Sequence, residues 1–440
     1  MDRGWLVVGV LMGTLAAAAS PSAGQVRGTV FGPGARNYPI AIAPLKRLSG
    51  GGAGGSKDVA ARFAGIVTRD LTLSGYFKVL DPNAYIEKSD ESGYTTESIN
   101  FDNWSVIGAL ALVKGGYTLE GDKLTVEVRL FDVYQRRQLS GRRYNGSADD
   151  LRRMAHRFAD EIMAQFTGEL GPFDSRLAFV STRGGRFKEL YVMSLDEGDL
   201  QQVTRNQTIN LAPAWTPDSR SLLYTSYKRG NPDLYLLDLV TGNETRLSQR
   251  PGLNLGGRPS PDGSKIAVTV EEQGNSDIVL LDHGGRVTRR LTDNWAIDVS
   301  PSWSPDGQQI AFCSNRSGSP QIYVMSAAGG DARRVSSTGS YNTAPAWSPK
   351  GDRIAYVSRS EGEFNIFTVK VDGSETRQLT QGMGNNEDPS WAPDGRYLVF
   401  SSSRTGHKKL FVSDATGLSQ VQLTHGGGDD TSPAWSRRLE

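Results

Sequence analysis

The sequence predicts an α/β amino-terminal domain followed by an all-β six-bladed propeller that is closed by the carboxyl-terminal strand. Three observations carry this expectation. Trp215, Trp303, Trp347, Trp391 and Trp435 each follow a proline by two residues; the last three intervals are each 44 residues, and 215 to 303 is twice that. The missing member falls at 259, where Pro259-Ser260-Pro261-Asp262-Gly263 repeats Trp303-Ser304-Pro305-Asp306-Gly307 without its indole. A fixed period of this length is the signature of one repeat per propeller blade. Second, short apolar runs that read as second strands occur six times, at 177–180, 222–224, 266–268, 310–312, 354–356 and 398–400. Third, the first of these has no tryptophan strand before it, and the last tryptophan strand, 431–435, has only 436–440 after it. Pairing those two orphans closes the ring and removes two exposed sheet edges.

At 440 residues the chain holds about two or three domains, divided here as 1–24, 25–170 and 171–440. A net charge of +1 with 22% charged residues excludes a strongly basic nucleic-acid binder. Cys313 is the single cysteine, so no intramolecular disulfide forms; inside Ile310-Ala311-Phe312-Cys313 it reads as a small core residue.

Residues 1–24 read as a secretory signal: Arg3, an apolar run from Trp5 to about Ala19, then a Ser/Pro/Gly stretch. That run is short for a transmembrane helix, which needs about 20 apolar residues. An exported, non-spanning monomer follows, cleaved between Ser20 and Gln25.

In the block to residue 170, segments 25–31 and 38–43 are extended, and the glycine-rich stretch 49–56 lacks the Gly-Lys-Ser/Thr of a phosphate loop. Val59, Phe63, Ile66, Val67 and Leu71 fall at helical spacing, with Ser74-Gly75 as the stop. A strand at 77–80 follows, then a short helix at 104–110 and a strand at 111–113. Leu124, Val126, Val128 and Leu130 alternate with polar residues, pairing with 116–120 across Gly121-Asp122. Ser147-Ala148-Asp149-Asp150 is a capping box opening a helix whose apolar face holds Leu151, Met154, Ala155, Phe158, Ile162 and Phe166. His156, Arg152, Arg153 and Arg157 on that helix read as solvated surface.

In the blades, Pro-Asp-Gly and its variants suit tight hairpins: proline presets φ and glycine accepts positive φ. The chemistry expected of an enzyme is missing. There is no Gly-x-Ser-x-Gly nucleophile elbow, and His156, His283, His407 and His425 show no zinc spacing. The informative constellation lies five residues before each tryptophan position: Asn210, Asn254, Asp298, Asn342, Asn386 and Asp430. One reading makes each the Asx-turn that starts a strand. The other makes them a polar collar at the channel mouth, which holds a partner peptide or a calcium ion, acidic through Asp298, Glu387, Asp388, Asp429 and Asp430.

The domain order, the Pro-x-Trp-Ser-Pro-Asp-Gly repeats and the stop just past Ser432-Pro433-Ala434-Trp435-Ser436 resemble the TolB family, periplasmic propeller proteins of the Tol–Pal envelope system. The resemblance covers essentially the whole chain. It implies a non-catalytic adaptor without a cofactor, serving outer-membrane integrity and constriction at division. It also implies that the propeller mouth binds the peptidoglycan-associated lipoprotein Pal, and that the segment after signal cleavage, about 25–34 with Gln25, Val26, Arg27, Thr29 and Val30, contacts TolA. The family's lipoprotein contacts map onto Leu253, Gly256 and Val299, which replace the usual His, Ala and Thr. A propeller-type hydrolase and a small-ligand-binding periplasmic protein are the rival classes.

Overall fold

The computed structural model describes residues 37–49, 56–88 and 93–439. The expected signal, the 25–31 segment and nearly all of the glycine-rich stretch lie outside the described residues.

The amino-terminal block builds one mixed sheet. Its strands are β1 (Tyr38–Ile42), β2 (Lys46–Ser49), β3 (Phe77–Val79), β4 (Ala111–Glu120), β5 (Lys123–Asp132) and β6 (Arg137–Ser147), in the order β3-β1-β4-β5-β6 with β2 beside β4. Pairings with β1 and β2 are parallel; β4-β5-β6 is an antiparallel meander. The alternating residues Leu124, Val126, Val128 and Leu130 are all buried on one face of β5. Helices α1 (Ser56–Ser74) and α3 (Leu151–Thr167) cover that face; α2 (Phe101–Ser105) covers the other with Phe101 and Trp104.

Local chemistry sets the ends. Helix α1 stops where Gly75 takes φ 71°, and α3 stops where Gly168 takes φ 81°. Before α3, the Ser147 N–H donates to Asp150 Oδ2 at 2.8 Å, within the expected capping box. Two expectations are corrected. The helix expected at 104–110 lies earlier, at Phe101–Ser105, and the separate strands at 111–113 and 116–120 are one continuous β4. Strand β6 has no counterpart in the sequence reading, because its side chains are half-buried or exposed throughout and leave no alternation to read.

Six four-stranded antiparallel sheets follow, each running outward from an inner strand. The inner strands are Asn210–Trp215, Asn254–Pro259, Asp298–Trp303, Asn342–Trp347 and Asn386–Trp391 for blades 2 to 6, and Asp430–Trp435 for blade 1. Asp430–Trp435 pairs antiparallel with Arg176–Ser181, matching Trp435 with Leu177, so the carboxyl-terminal strand closes the ring. Second strands are buried on both faces, for example Leu398, Val399 and Phe400, because each sheet is sandwiched between neighbours.

The two parts share a core. Phe63, Phe158 and Met163 belong to the same buried cluster as Leu177, Tyr397, Val412 and Trp435 of blades 1 and 6. Buried polar ties stitch the seam: Tyr397 Oη donates to Ser74 O at 3.0 Å and Trp435 Nε1 to Ser175 Oγ at 2.8 Å.

Of the α3 residues expected at the surface, Arg157 is exposed as expected, whereas His156, Arg152 and Arg153 are drawn into this seam, another correction. His156 is 3% exposed; its Nδ1 lies 2.7 Å from Asp70 Oδ2 and its Nε2 lies 3.5 Å from Asp196 of blade 1. Arg152 pairs with Asp196, and Arg153 and Arg157 reach Asp174 at 3.3 and 3.2 Å. Charged side chains on the flank of an apolar stripe serve here as a clamp between domains.

Candidate interaction site at the propeller mouth

Every inner strand carries the same irregularity. Its pairing with the second strand slips once, between Leu211 and Ala214 in blade 2 and at the equivalent place in the other five. At the slip the residue three before the tryptophan position is left-handed: Ala212, Gly256, Ser300, Ala344, Asp388 and Ser432 have φ between 49° and 65°. The bulge turns these six towards the channel, where they line a cavity of about 320 Å³ with Leu211, Leu255 and Val299.

The Asn/Asp positions stand two residues before this bulged set and one before the cavity-lining Leu211, Leu255 and Val299, and alternation from the latter points them the other way, into the blades. Asn210, Asn254, Asp298, Asn342, Asn386 and Asp430 are each 0% exposed. Their bonds are internal. Asn210 Nδ2 donates to Lys188 O at 2.8 Å, Asn254 Nδ2 to Arg250 O at 2.8 Å, and Asn342 Nδ2 to Gln321 Oε1 at 2.7 Å. Asn386 Nδ2 donates to Gly384 O at 2.9 Å, and its Oδ1 accepts from Arg404 at 3.0 Å. The exposed collar is thereby corrected: these fully buried side chains bind the start of the inner strand to its own blade and to the blade before it.

The expectation that Asp298 and Asp430 lend their charge to the mouth falls with it. Asp298 accepts from Arg316 at 3.0 and 3.1 Å, and Asp430 from Arg183 at 2.8 Å and Lys409 at 3.2 Å, so both carboxylates are already neutralised. Arg183, Arg316 and Arg404 also lie over the aromatic pairs of their blades, as Arg404 does 4.2 Å from the Phe411 ring centre. Of the expected acidic set, Asp388 does face the cavity; burial raises its carboxyl above the ordinary range, and Ser432 donates to it at 3.1 Å.

The positions carried by family resemblance fare differently. Gly256 and Val299 line the cavity, and Leu253 is half-buried directly before Asn254. The expected TolA-contacting residues Gln25, Val26, Arg27, Thr29 and Val30 lie outside the described residues.

What sequence reasoning missed is the rim. In the loops that enter the inner strands, Trp295 is 74% exposed, Ile297 48%, Ile209 46%, Met383 44% and Tyr341 41%. Ile209, Leu253, Ile297 and Tyr341 occupy one repeat phase, six before the tryptophan position; Trp295 and Met383 share another, three before the Asx residue. Together they form an apolar arc across blades 2 to 6 around the cavity. The signal was present in the repeat alignment, one residue away from the Asx column. Beside it, His407, Lys408, Glu387 and Asp429 give the rim a polar sector in blades 6 and 1.

The buried acid–imidazole pair Asp70–His156 is closed off in the domain seam and lines neither of the channel's two cavities. Cys313 lies in the core, its thiol pushed up to about 11 by burial. Among the described residues no helix is long and apolar enough to cross a membrane.

Comparison with known proteins adds the following. A family model described as the TolB beta propeller domain matches residues 163–439, and one described as the TolB amino-terminal domain matches 28–139. The Tol-Pal system protein TolB of Syntrophotalea carbinolica is 43% identical over 204 residues, 46% of this chain and 46% of that protein. That of Desulfosudis oleivorans is 39% identical over 206 residues, again 46% of each. The chain thus aligns with about half the length of these curated relatives. The crystal structure of TolB from Acinetobacter baumannii superposes with a TM-score of 0.80 at 27% identity, covering 91% of this chain and 97% of that one.

Proposed function

This chain belongs to the TolB family, and from that premise we propose that it is a periplasmic, non-catalytic adaptor of the Tol–Pal system. In this reading the mouth of the propeller docks the peptidoglycan-associated lipoprotein Pal, and the segment 25–34 contacts TolA. Coupling between the two contacts serves outer-membrane integrity and constriction during division.

The observation that carries the reading is the apolar arc of Trp295, Ile297, Ile209, Tyr341 and Met383 beside an open cavity. Large exposed side chains set around a concave opening are what a protein partner buries, and tryptophan is the residue most enriched among binding hot spots. Gly256 and Val299, onto which the family's contact positions map by resemblance, line the same cavity, which supports the reading.

Replacing Trp295 by Ala should weaken lipoprotein binding about 30-fold or more, the loss of about 2 kcal/mol typical of a central aromatic anchor. Because Trp295 is exposed, the melting temperature should stay in place; a titration giving undiminished affinity overturns the assignment of the mouth. Deleting 25–34 should abolish TolA capture and spare lipoprotein binding. Loss of both contacts together would refute that division of labour.

A further inference from the structure

At the opposite end of the inner strands the channel opens into a second cavity of about 420 Å³. Its wall is made by the repeat tryptophans, by the prolines of the hairpin turns and, in five of the six blades, by the serine or threonine that follows the tryptophan position. The indole N–H groups are turned away and spent on the fold: Trp215 Nε1 donates to Ala434 O at 3.0 Å, Trp303 to Arg258 O at 2.9 Å and Trp391 to Ala346 O at 2.9 Å. The rings therefore offer carbon to the cavity.

The charged side chains on this wall are Arg258 and Arg437, and no aspartate or glutamate lines it. In a chain with 49 basic and 48 acidic residues, that segregation creates a local positive potential in a recess of low polarisability. Arg437 is anchored at the edge, donating to Pro261 O at 2.9 Å. Arg258 lines both cavities and so stands at the junction between them.

Arg258 is also a departure from the repeat. The equivalent positions are Ala214, Ser302, Ala346, Ser390 and Ala434, so the fold asks only for a small residue there. Its Nη1 donates to Pro213 O at 3.0 Å and Ala212 O at 3.4 Å, which orients the guanidinium. Among the described residues no carboxylate comes within ion-pairing distance; the acidic influence on it is Asp388, which faces it across the mouth-side cavity that both line. Desolvation holds the Arg258 guanidinium below its ordinary value, against the opposing pull of Asp388.

We infer that this cavity is a binding site for a small organic carboxylate, its two oxygens on the remaining N–H groups of Arg258 and its apolar body against the indole and proline wall. A planar carboxylate matches the guanidinium fork. A phosphate dianion would leave the indole and proline rings of the wall without an apolar partner.

The test uses the whole protein and benzoate as the probe, with benzamide as its uncharged isostere, read by tryptophan fluorescence and by calorimetry. Saturable binding of benzoate, at least about tenfold tighter than benzamide, is expected. Arg258→Ser should weaken benzoate at least about tenfold at an unchanged melting temperature. The fold tolerates serine at this position, since Ser302 and Ser390 each accept an N–H from the next blade, Trp347 at 2.9 Å and Trp435 at 3.0 Å. Equal binding of benzoate and benzamide, no saturable benzoate binding at all, undiminished affinity in Arg258→Ser, or equal competition by inorganic phosphate each overturns the inference. The benzoate–benzamide comparison on the unaltered protein decides the matter even if the variant does not fold.

Discussion

A left-handed backbone at six equivalent residues is the smallest device on which the channel depends. Ala344 holds φ 49° and Ala212 φ 51°, where an L side chain costs roughly 1–2 kcal/mol, whereas Gly256 at φ 65° does not carry that strain. Ala344→Gly should therefore raise stability by up to about 1 kcal/mol, and Gly256→Ala, which meets nothing within 4 Å, should lower it by about 1 kcal/mol from φ alone. Thermal melts of the pair check this; opposite signs would mean that the bulge is held by something other than backbone preference. The buried Asx residues make a sterner claim. Asp430→Ala leaves Arg183 and the 4%-exposed Lys409 without their carboxylate and should cost about 3–5 kcal/mol in urea unfolding. A loss below about 1 kcal/mol would revive a role for Asp430 outside the blade. The repeat spacing made the Asx column legible, because six positions in one phase stand out in any alignment of the blades. The direction of those side chains was not legible, since alternation puts this column on the blade side of the strand and one bulge resets the count just beyond it.

Elements were readable where their pattern was amphipathic and their ends were marked. Helix α3 shows both, a capping box at Ser147 and Asp150 and an apolar stripe from Leu151 to Phe166. Strand β6 shows neither, and the polar flank of α3 misled in the other direction, because its partners Asp70, Asp174 and Asp196 come from distant segments. That flank predicts a pH response. Burial pushes the His156 imidazole down, but Asp70 at 2.7 Å outweighs it and holds His156 above its usual value. Burial also raises the Asp70 carboxyl. Arg152, Arg69, Asp160, Asp174 and Asp196 face the same pocket, and Asp160, desolvated, is pushed up to about 7. All three groups bind protons more tightly folded than unfolded, so stability falls as pH rises. The histidine's share is complete below about pH 6.5 and is lost as pH climbs through its raised folded value. Melting temperatures taken from pH 6 to pH 9 should fall, and His156→Gln should flatten part of that slope. An identical slope in the variant would remove His156 from the account.

For the whole molecule, the count of blades and the manner of closure were open to reading because a period of 44 residues is written into the chain. The docking of the two domains was not, since Ser74, Ser175, Tyr397 and Trp435 meet with no periodic signal to announce them. Closure also yields the bluntest prediction. Removing residues from 430 onward strips blade 1 of its inner strand and bares the edge of Arg176–Ser181, so the product should self-associate in light scattering. A monodisperse, cooperatively melting product would contradict the closed ring.

Ser181 and Asp430, bonded at 2.6 Å, stand 249 positions apart. Synthesis at roughly 5–20 residues per second delivers the second about 12–50 s after the first. Until that last segment is in place, blade 1 lacks its inner strand. The ring is therefore a gauge of its own length: a product abandoned early keeps an open flank that proteases and chaperones can recognise, and a finished one hides it.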